Sequence, residues 1–214
     1  EAEHQITGSP YLASVAEGLK TCANFLHFRH YPTLDQTRLH SALFCKKHLF
    51  CPPCAIRRAS KQIQAYLTKL KVLRAENASQ RLYMITLTVK NGDDLAERFE
   101  HLNSSIKTLS KNRTRAKSSR NKTEFTKISG AVGSYEFTNR GNGWHPHAHI
   151  VALCDESPDQ QKLSDEWRRI TKDSFIVDVR PINQDDLLKG FSEVFKYALK
   201  FSDLTYEQQI HAAL

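Results

Sequence analysis

The feature that most constrains the fold is a pair of β-rich segments separated by a turn of glycines and asparagines. The two segments are residues 132–138 and 144–153, and this pattern predicts a β-hairpin. Side chains in a strand alternate between its two faces, so His147 and His149 share one face. Glu136, on the partner strand, lies within cross-strand reach of both histidines.

Two imidazoles and one carboxylate can hold a divalent ion and leave coordination positions open for a substrate. We therefore predict a catalytic metal site formed by Glu136, His147 and His149. His145 is in phase with the other two histidines, but Pro146 is expected to interrupt the strand there. His145 is therefore expected to support the ligands or to contact DNA. The alternative is a group of structural histidines on a solvated face.

Three of the five cysteines crowd into a short segment that ends in a Cys-x-x-Cys knuckle. Cys45, Cys51 and Cys54 can converge on one tetrahedral ion, and nearby lysines and arginines favour thiolates. We predict a structural zinc site, with Cys22 as the first choice for the fourth ligand. The other candidates for that position are His27, His40 and His48. The alternatives are a redox Cys-Pro-Pro-Cys pair or unrelated buried thiols.

Hydrophobic periodicity places these motifs on secondary structure. Residues 11–28 predict a helix followed by a strand, and residues 55–75 predict a helix with a basic solvent side. Residues 81–90 predict a strand that ends at an Asn-Gly turn. One face of that strand is apolar and the other carries hydroxyls, which indicates either a site or a half-exposed strand. Residues 93–109 predict an amphipathic helix.

The net charge is +8, from 31 lysines and arginines against 23 acidic residues. This excess favours a polyanionic partner. The densest basic run, residues 111–122, predicts a mobile loop that lies along a phosphate backbone, with a merely solvated loop as the alternative. The predicted DNA-contacting residues are His145, Arg57, Arg58, Lys111, Arg113, Arg115, Lys117, Arg120 and Lys122.

A second constellation lies in residues 191–201, which have helical periodicity. The positions predicted to face the core are Phe191, Val194, Ala198 and Phe201. Glu193, Tyr197 and Lys200 form an adjacent stripe. The free phenol has a pKa of about 10, so a nucleophilic Tyr197 needs help from a metal-polarised phosphate and from Lys196 or Lys200. Without the metal-binding hairpin, Tyr197 would be an ordinary packing residue.

Three ordered motifs resemble the HUH endonucleases, in particular the rolling-circle replication initiators of small bacterial plasmids. They are residues 85–88 with Asn91, the Trp-His-Pro-His-Ala-His segment at 144–149, and residues 193–200, where a Glu precedes the Tyr by four positions. The cysteine pattern followed by two arginines is similar to the cysteine-rich N-terminal part of this plasmid group. The resemblance spans residues 22–204.

The resemblance implies an α+β fold, with a central antiparallel sheet flanked by helices (a ferredoxin- or RRM-like palm) and an N-terminal zinc-binding segment. We expect residues 1–78 to form the cysteine-rich segment and residues 79–214 to form the catalytic domain, packed as one unit. Mn²⁺ or Mg²⁺ would be held by the two histidines and the carboxylate of the hairpin. Tyr197 would attack the scissile phosphate and form a 5′-phosphotyrosine link, and Glu193 would activate water for a terminating hydrolysis.

The implied activity is that of a DNA endonuclease and strand transferase acting on single-stranded or hairpin DNA at a plasmid origin. A host helicase and polymerase are expected partners. Neither a membrane span nor a signal peptide is visible, so we expect a bacterial cytoplasmic protein. Relatives usually continue beyond the tyrosine helix, so we expect a catalytic fragment. The alternatives are an HUH transposase acting on single-stranded transposon ends and a non-catalytic zinc-containing DNA-binding protein.

Overall fold

A computed structural model describes residues 10–120, 122–183 and 187–194, apart from the side chains of Leu188 and Glu193. The described chain divides into two compact units, one up to residue 61 and one from residue 62 onward. The division falls inside one long helix. The expected domain boundary after residue 78 stays a prediction.

The first unit contains two helices and a two-stranded ribbon. Its elements are α1 (Pro10–Thr21), β1 (Leu26–Tyr31), β2 (Gln36–Ala42) and the start of α2 (Pro52–Glu76). The two strands pair antiparallel around a short 3₁₀ turn at Pro32–Leu34. Helix α2 begins at a proline, which is favourable at a first helical position because its missing N–H has no intrahelical partner there. The predicted helix-then-strand and the predicted helix at 55–75 are both confirmed.

The second unit is built on a four-stranded antiparallel sheet. Its elements are β3 (Arg81–Thr88), α3 (Leu95–Lys117), β4 (Ile128–Asn139), β5 (Trp144–Cys154), α4 (Gln160–Thr171), β6 (Val177–Pro181) and α5 (Leu187–Val194). The strand order is β4-β5-β3-β6, and each neighbouring pair is antiparallel. A βαββαβ chain with this order has the ferredoxin-like topology. The predicted α+β class with an antiparallel sheet flanked by helices is confirmed.

One face of the sheet packs against α3 and α4. Ile85 and Leu87 of β3 are fully buried in one cluster with Leu102 of α3 and Trp167 of α4. The Trp167 indole N–H donates to the backbone carbonyl of Thr88 at 2.7 Å. This bond fixes α4 to the end of β3. None of the described helices is long and apolar enough to cross a membrane.

The other face of the sheet is divided into an apolar half and a polar half. The apolar half forms a cluster with α2 and α5 whose members include Leu70, Leu82, Val151, Leu153, Phe191 and Val194. The prediction that Phe191 and Val194 face the core is confirmed, while Ala198 and Phe201 lie outside the described residues. Further along the same strands, this face carries hydroxyls, imidazoles and a carboxylate. The candidate site is built on that polar half.

The predicted mobile loop at residues 111–122 is wrong over most of its length, because α3 continues to Lys117. Lysine and arginine are good helix formers, and positive charge near a helix C-terminus interacts favourably with the helix dipole. Arg115 and Lys117 lie in that last turn. The run has almost no apolar residues that would give a helical periodicity, and Ala116 is the one buried position among its described residues.

The predicted interruption of the second hairpin strand at Pro146 is also wrong. Strand β5 runs through Pro146, which pairs in register with Phe137 of β4. The ladder between β3 and β5 ends at the pair of Thr88 and His147. Pro146 therefore lies just beyond the end of the ladder between β3 and β5. A proline is tolerated there because its missing N–H removes no hydrogen bond of that ladder.

Candidate metal centre

The hairpin register brings one carboxylate and two imidazoles together. Glu136 is the direct cross-strand partner of His147, and His149 lies two residues further along β5 on the same face. Glu136 Oε2 lies 2.7 Å from His149 Nε2 and 3.3 Å from His147 Nε2. The predicted proximity of these three residues is confirmed.

The donor set fits a small divalent ion. The three ligand atoms all lie within 4.8 Å of one another, and Glu136 is buried while both histidines are half-buried. Adjacent ligands of an octahedral ion with bonds of about 2.1 Å are separated by about 3 Å. The two oxygen–nitrogen distances lie on either side of that value, so small movements would suffice for coordination. Three protein ligands leave room for substrate oxygens.

Thr86 of β3 orients one of the histidines. It is the cross-strand partner of His149, and its Oγ1 lies 3.2 Å from His149 Nδ1. When Nδ1 carries the proton, the ring donates to Thr86 and leaves the Nε2 lone pair free to bind a metal ion. This arrangement of a ligand histidine with an outer partner is usual at metal sites. The hydroxyl-bearing face predicted for this strand therefore looks into the site.

His145 lies next to the cluster but does not join its ligand set. Its Nδ1 contacts Asn91 Oδ1, and its ring lies edge-on to the ring of His147, with 5.2 Å between centroids. Burial, and secondarily the neighbouring His147, lowers the pKa of His145, which favours the neutral imidazole. Its position supports the orientation of His147.

A close backbone contact places Asn91 beside His145. Gly92 and Trp144 exchange backbone hydrogen bonds of 3.1 and 2.6 Å. Gly143 has a positive φ of 82°, and a Cβ on it would come within 2.8 Å of the Gly92 carbonyl oxygen. Only glycine suits this approach.

A cavity of about 310 Å³ opens beside His147 and His145. Its lining also includes Asn91, Thr138, Arg140, Asn142 and Gly143. Sequence reasoning missed Arg140 and Asn142 because they belong to the Gly/Asn-rich segment that was interpreted only as a turn. The cavity supplies a cationic side chain and amide groups next to the three-ligand cluster.

The first unit holds a separate cluster of four cysteines. Cys22 Sγ lies 3.6 Å from Cys54 Sγ and 3.3 Å from Cys51 Sγ, and Cys45 Sγ lies 3.6 Å from Cys54 Sγ. A tetrahedral ion with Zn–S bonds of 2.3 Å requires sulfur–sulfur separations of about 3.8 Å. These cysteines are free thiols, and the cluster could hold zinc. Cys22, rather than one of the candidate histidines, completes the four-residue set.

The thiol pKa values of the cluster diverge. A hydrogen bond from the Cys45 backbone N–H lowers the pKa of Cys22 to about 7. Burial raises the pKa of Cys51 to about 12 and also raises the pKa of Cys54. Because metal ligands are thiolates, an ion in the cluster would have to displace protons from the buried pair.

Two of the predicted DNA-contacting side chains are engaged within the protein. Arg113 donates from Nε and Nη2 to the backbone carbonyls of Phe125 and Ile128, at 3.1 and 2.5 Å. Lys122 Nζ donates to the last carbonyls of α3, at 3.2 and 2.9 Å. Each stabilises the connection between α3 and β4.

The remaining predicted contacts are more accessible. The guanidinium of Arg57 stacks on the ring of Phe44, 3.8 Å from its centroid. The exposed members of the predicted set are Arg58, Lys111, Arg115, Lys117 and Arg120. Tyr197, Lys196 and Lys200 lie outside the described residues, and so does the side chain of Glu193.

Comparisons with known proteins find several relatives that carry the name protein rep. Protein rep from a Bacillus species is 29% identical over 204 residues, which cover 91% of this chain and 62% of that protein. Protein rep from Staphylococcus aureus is 29% identical, with coverages of 86% and 82%, and protein rep from Streptococcus pneumoniae is 30% identical, with coverages of 93% and 64%. The chain thus spans less than two thirds of the Bacillus relative.

No solved structure matches the chain. Residues 36–214 match the Rep_1 family, described as replication protein. That match takes in both the three-ligand cluster and most of the cysteine cluster. The chain belongs to the Rep_1 family of replication proteins.

Proposed function

We propose that this chain initiates rolling-circle replication of a plasmid by nicking and rejoining single-stranded DNA at the origin. The observation that carries the proposal is the cluster of Glu136, His147 and His149 on the polar half of a sheet face. Membership of a replication protein family supports action at an origin rather than at transposon ends.

Glu136, His147 and His149 would hold Mg²⁺ or Mn²⁺. When bound, the ion would polarise the scissile phosphate. Thr86 holds the ring of His149 in place, and Asn91 holds His145 against His147. The cavity beside these residues offers Arg140 to a phosphate or a base of the bound strand.

Tyr197 would be the nucleophile. Its phenolic oxygen would form a bond to phosphorus as the bond to the 3′ oxygen breaks, leaving a 5′-phosphotyrosine and a free 3′-OH. The phenol proton would leave with the departing oxygen or pass to a nearby base. One phosphodiester replaces another, so the strand can be rejoined by the reverse reaction. Lys196 and Lys200 would stabilise the phenolate.

The position of α5 supports this assignment. Phe191 and Val194 are buried on the sheet face that also carries the histidines. Tyr197 follows Val194 by three residues in the sequence. Glu193 would activate water for the terminating hydrolysis, which would release the protein from the DNA.

The cysteine cluster would be a structural zinc site. Its four sulfurs would fill every position of a tetrahedral ion and leave no position for a substrate. In this proposal the site stabilises the first unit and takes no part in strand cleavage.

Cleavage of a labelled single-stranded origin oligonucleotide with Mn²⁺ tests the function. The wild-type chain should give a nicked product and a covalent DNA adduct that maps to Tyr197, and EDTA should abolish both. Tyr197→Phe should bind the oligonucleotide and form no adduct. The matched control is Tyr83→Phe, because Tyr83 packs in the core on the opposite sheet face.

Two results would contradict the proposal. Binding without cleavage by the wild-type chain, across a range of metals and salt, would favour a non-catalytic DNA-binding protein. An unchanged yield of covalent DNA adduct with Tyr197→Phe would show that another residue is the nucleophile.

A further inference from the structure

The ribbon of β1 and β2 is exposed on both of its faces. Every residue from 24 to 41 is exposed to solvent. A two-stranded ribbon is marginally stable by itself, so an exposed one of this length is an unusual surface feature. Its two faces differ in chemistry.

One face of the ribbon is apolar around Phe28 and its cross-strand partner Leu39. The opposite face, which we call the basic face, is polar throughout. The basic face consists of His27, Arg29, Tyr31, Gln36, Arg38 and Ser41. The extra residue of a β-bulge, His40, lies edge-on to His27 with 5.2 Å between ring centroids.

Two arginines oppose each other at the centre of the basic face. Arg29 is the direct cross-strand partner of Arg38. Like charges at directly opposed positions destabilise a pair of strands. The one acidic residue of the ribbon, Asp35, lies in the turn. A bound polyanion would relieve this repulsion.

The charge distribution of the chain agrees with an anionic partner for the first unit. Residues 1–61 contain eight lysines and arginines against four acidic residues. Residues 62–214 contain 23 against 19. Each part thus has a net charge of +4, and the smaller part, with less than a third of the residues, has the higher density of positive charge.

We propose that the basic face binds double-stranded DNA, with the ribbon lying in the major groove. That groove admits a two-stranded β-ribbon, and arginine, glutamine and serine are side chains that contact its base edges. Base stacking by a single strand would need a free aromatic ring. The one such ring on this face, Tyr31, has the Arg38 guanidinium over it, 5.5 Å from the centroid. Gln36 Oε1 also accepts from Arg38 Nη2 at 2.6 Å, which holds that guanidinium in place.

This inference rests on the proposed function in taking DNA as the partner, but it assigns duplex binding to the first unit and cleavage to the second. Loss of duplex binding and loss of cleavage are therefore separable.

The test compares the salt dependence of binding to a short mixed-sequence duplex for four forms of the full chain. These are the wild type, Arg29→Gln with Arg38→Gln, Arg29→Lys with Arg38→Lys, and the control Lys162→Gln with Arg169→Gln, which removes the same charge from exposed positions of α4. The Gln pair should weaken duplex binding at least about tenfold and reduce the slope of log K against log salt by about 2. The Lys pair should keep the slope, and the control should behave like the wild type.

Cleavage of the single-stranded oligonucleotide, metal content and thermal unfolding are measured on the same samples. Cleavage and metal content should be unchanged in the Gln pair, and its unfolding temperature should be no lower than that of the wild type, because the repulsion between the opposed arginines is removed. Unchanged duplex binding by the Gln pair would overturn the inference, as would an equal loss with the control pair or an equal loss for single-stranded DNA. Absence of cleavage in the wild type would instead count against the proposed function.

Discussion

The two candidate metal-binding clusters differ in ligand type, ligand number and burial. The cysteine cluster has four soft sulfur ligands, two of them buried, gathered from three short segments of the first unit. The cluster of Glu136, His147 and His149 has three nitrogen and oxygen ligands on one hairpin of the second unit. A metal site with four thiolate ligands has no open coordination position and is typical of structural sites. A site with three protein ligands beside a cavity keeps a position open for a substrate.

Because of this difference, we expect loss of the metal from one cluster to have different consequences from loss of the metal from the other. Removing the metal of the cysteine cluster should impair folding more than DNA cleavage. Removing the metal of the cluster of Glu136, His147 and His149 should impair DNA cleavage more than folding. Chelation followed by readdition of one metal at a time would separate the two sites.

The largest expected effect is that of Cys51→Ser, which removes a buried ligand. We expect loss of bound zinc and of protease resistance in residues 10–61, since the free energy of binding a structural zinc is on the order of 10 kcal/mol. Metal analysis measures the bound zinc, and limited proteolysis measures the protease resistance. Cys154→Ala is the control, because Cys154 lies in the sheet core. Unchanged zinc content in Cys51→Ser would show that Cys51 is not a zinc ligand and would contradict the assignment of the cysteine cluster.

The next effect is that of Glu136→Gln, which keeps the shape of the side chain and removes its charge. We expect Mn²⁺-dependent cleavage to fall by about a thousandfold, because metal catalysis contributes several kcal/mol. Zinc content should stay at the wild-type level. Cleavage within tenfold of the wild type would show that the carboxylate is not a ligand.

Thr86→Val should have a smaller effect, because it removes only the partner of His149 Nδ1. Outer partners of metal-bound histidines contribute about 10- to 100-fold to affinity or activity. Titration of cleavage against Mn²⁺ should therefore require a higher metal concentration, with activity restored in part at saturation. Thr88→Val serves as a comparison on the same strand. An effect on zinc content instead would contradict the separation of the two sites.

The smallest effect concerns a buried carboxylate that lies in neither cluster. Burial raises the pKa of Glu166 on α4, with Arg169 and Asn112 partly opposing the shift. The folded protein thus holds this proton more tightly than the unfolded chain does. The contribution of Glu166 to stability is present below its unfolded pKa and is lost as the pH rises through the folded pKa.

Glu166→Gln should therefore raise the free energy of unfolding at neutral pH, by about 1 kcal/mol or less, and leave it unchanged in acid. Thermal unfolding at the two pH values measures the difference. Cleavage should be unaffected, in contrast to Glu136→Gln. A lower stability at neutral pH would mean that the Glu166 carboxylate is needed as a charged partner.

Periodicity predicted the local elements well because it depends on neighbouring residues. Strand alternation alone predicts that Glu136, His147 and His149 lie on one face. It failed at α3, where good helix formers without apolar residues extend a helix to Lys117. It failed again at Pro146, whose tolerance depends on where the partner strand ends.

The ligand types, their order along the chain and the hairpin that joins three of them can be predicted from local spacing and turn chemistry. The contacts of Cys22 with the knuckle, of Thr86 with His149 and of Asn91 with His145 become apparent in the folded chain. Those contacts join residues far apart in the chain. They depend on how strands pair and how both sheet faces are buried, which no short-range pattern encodes.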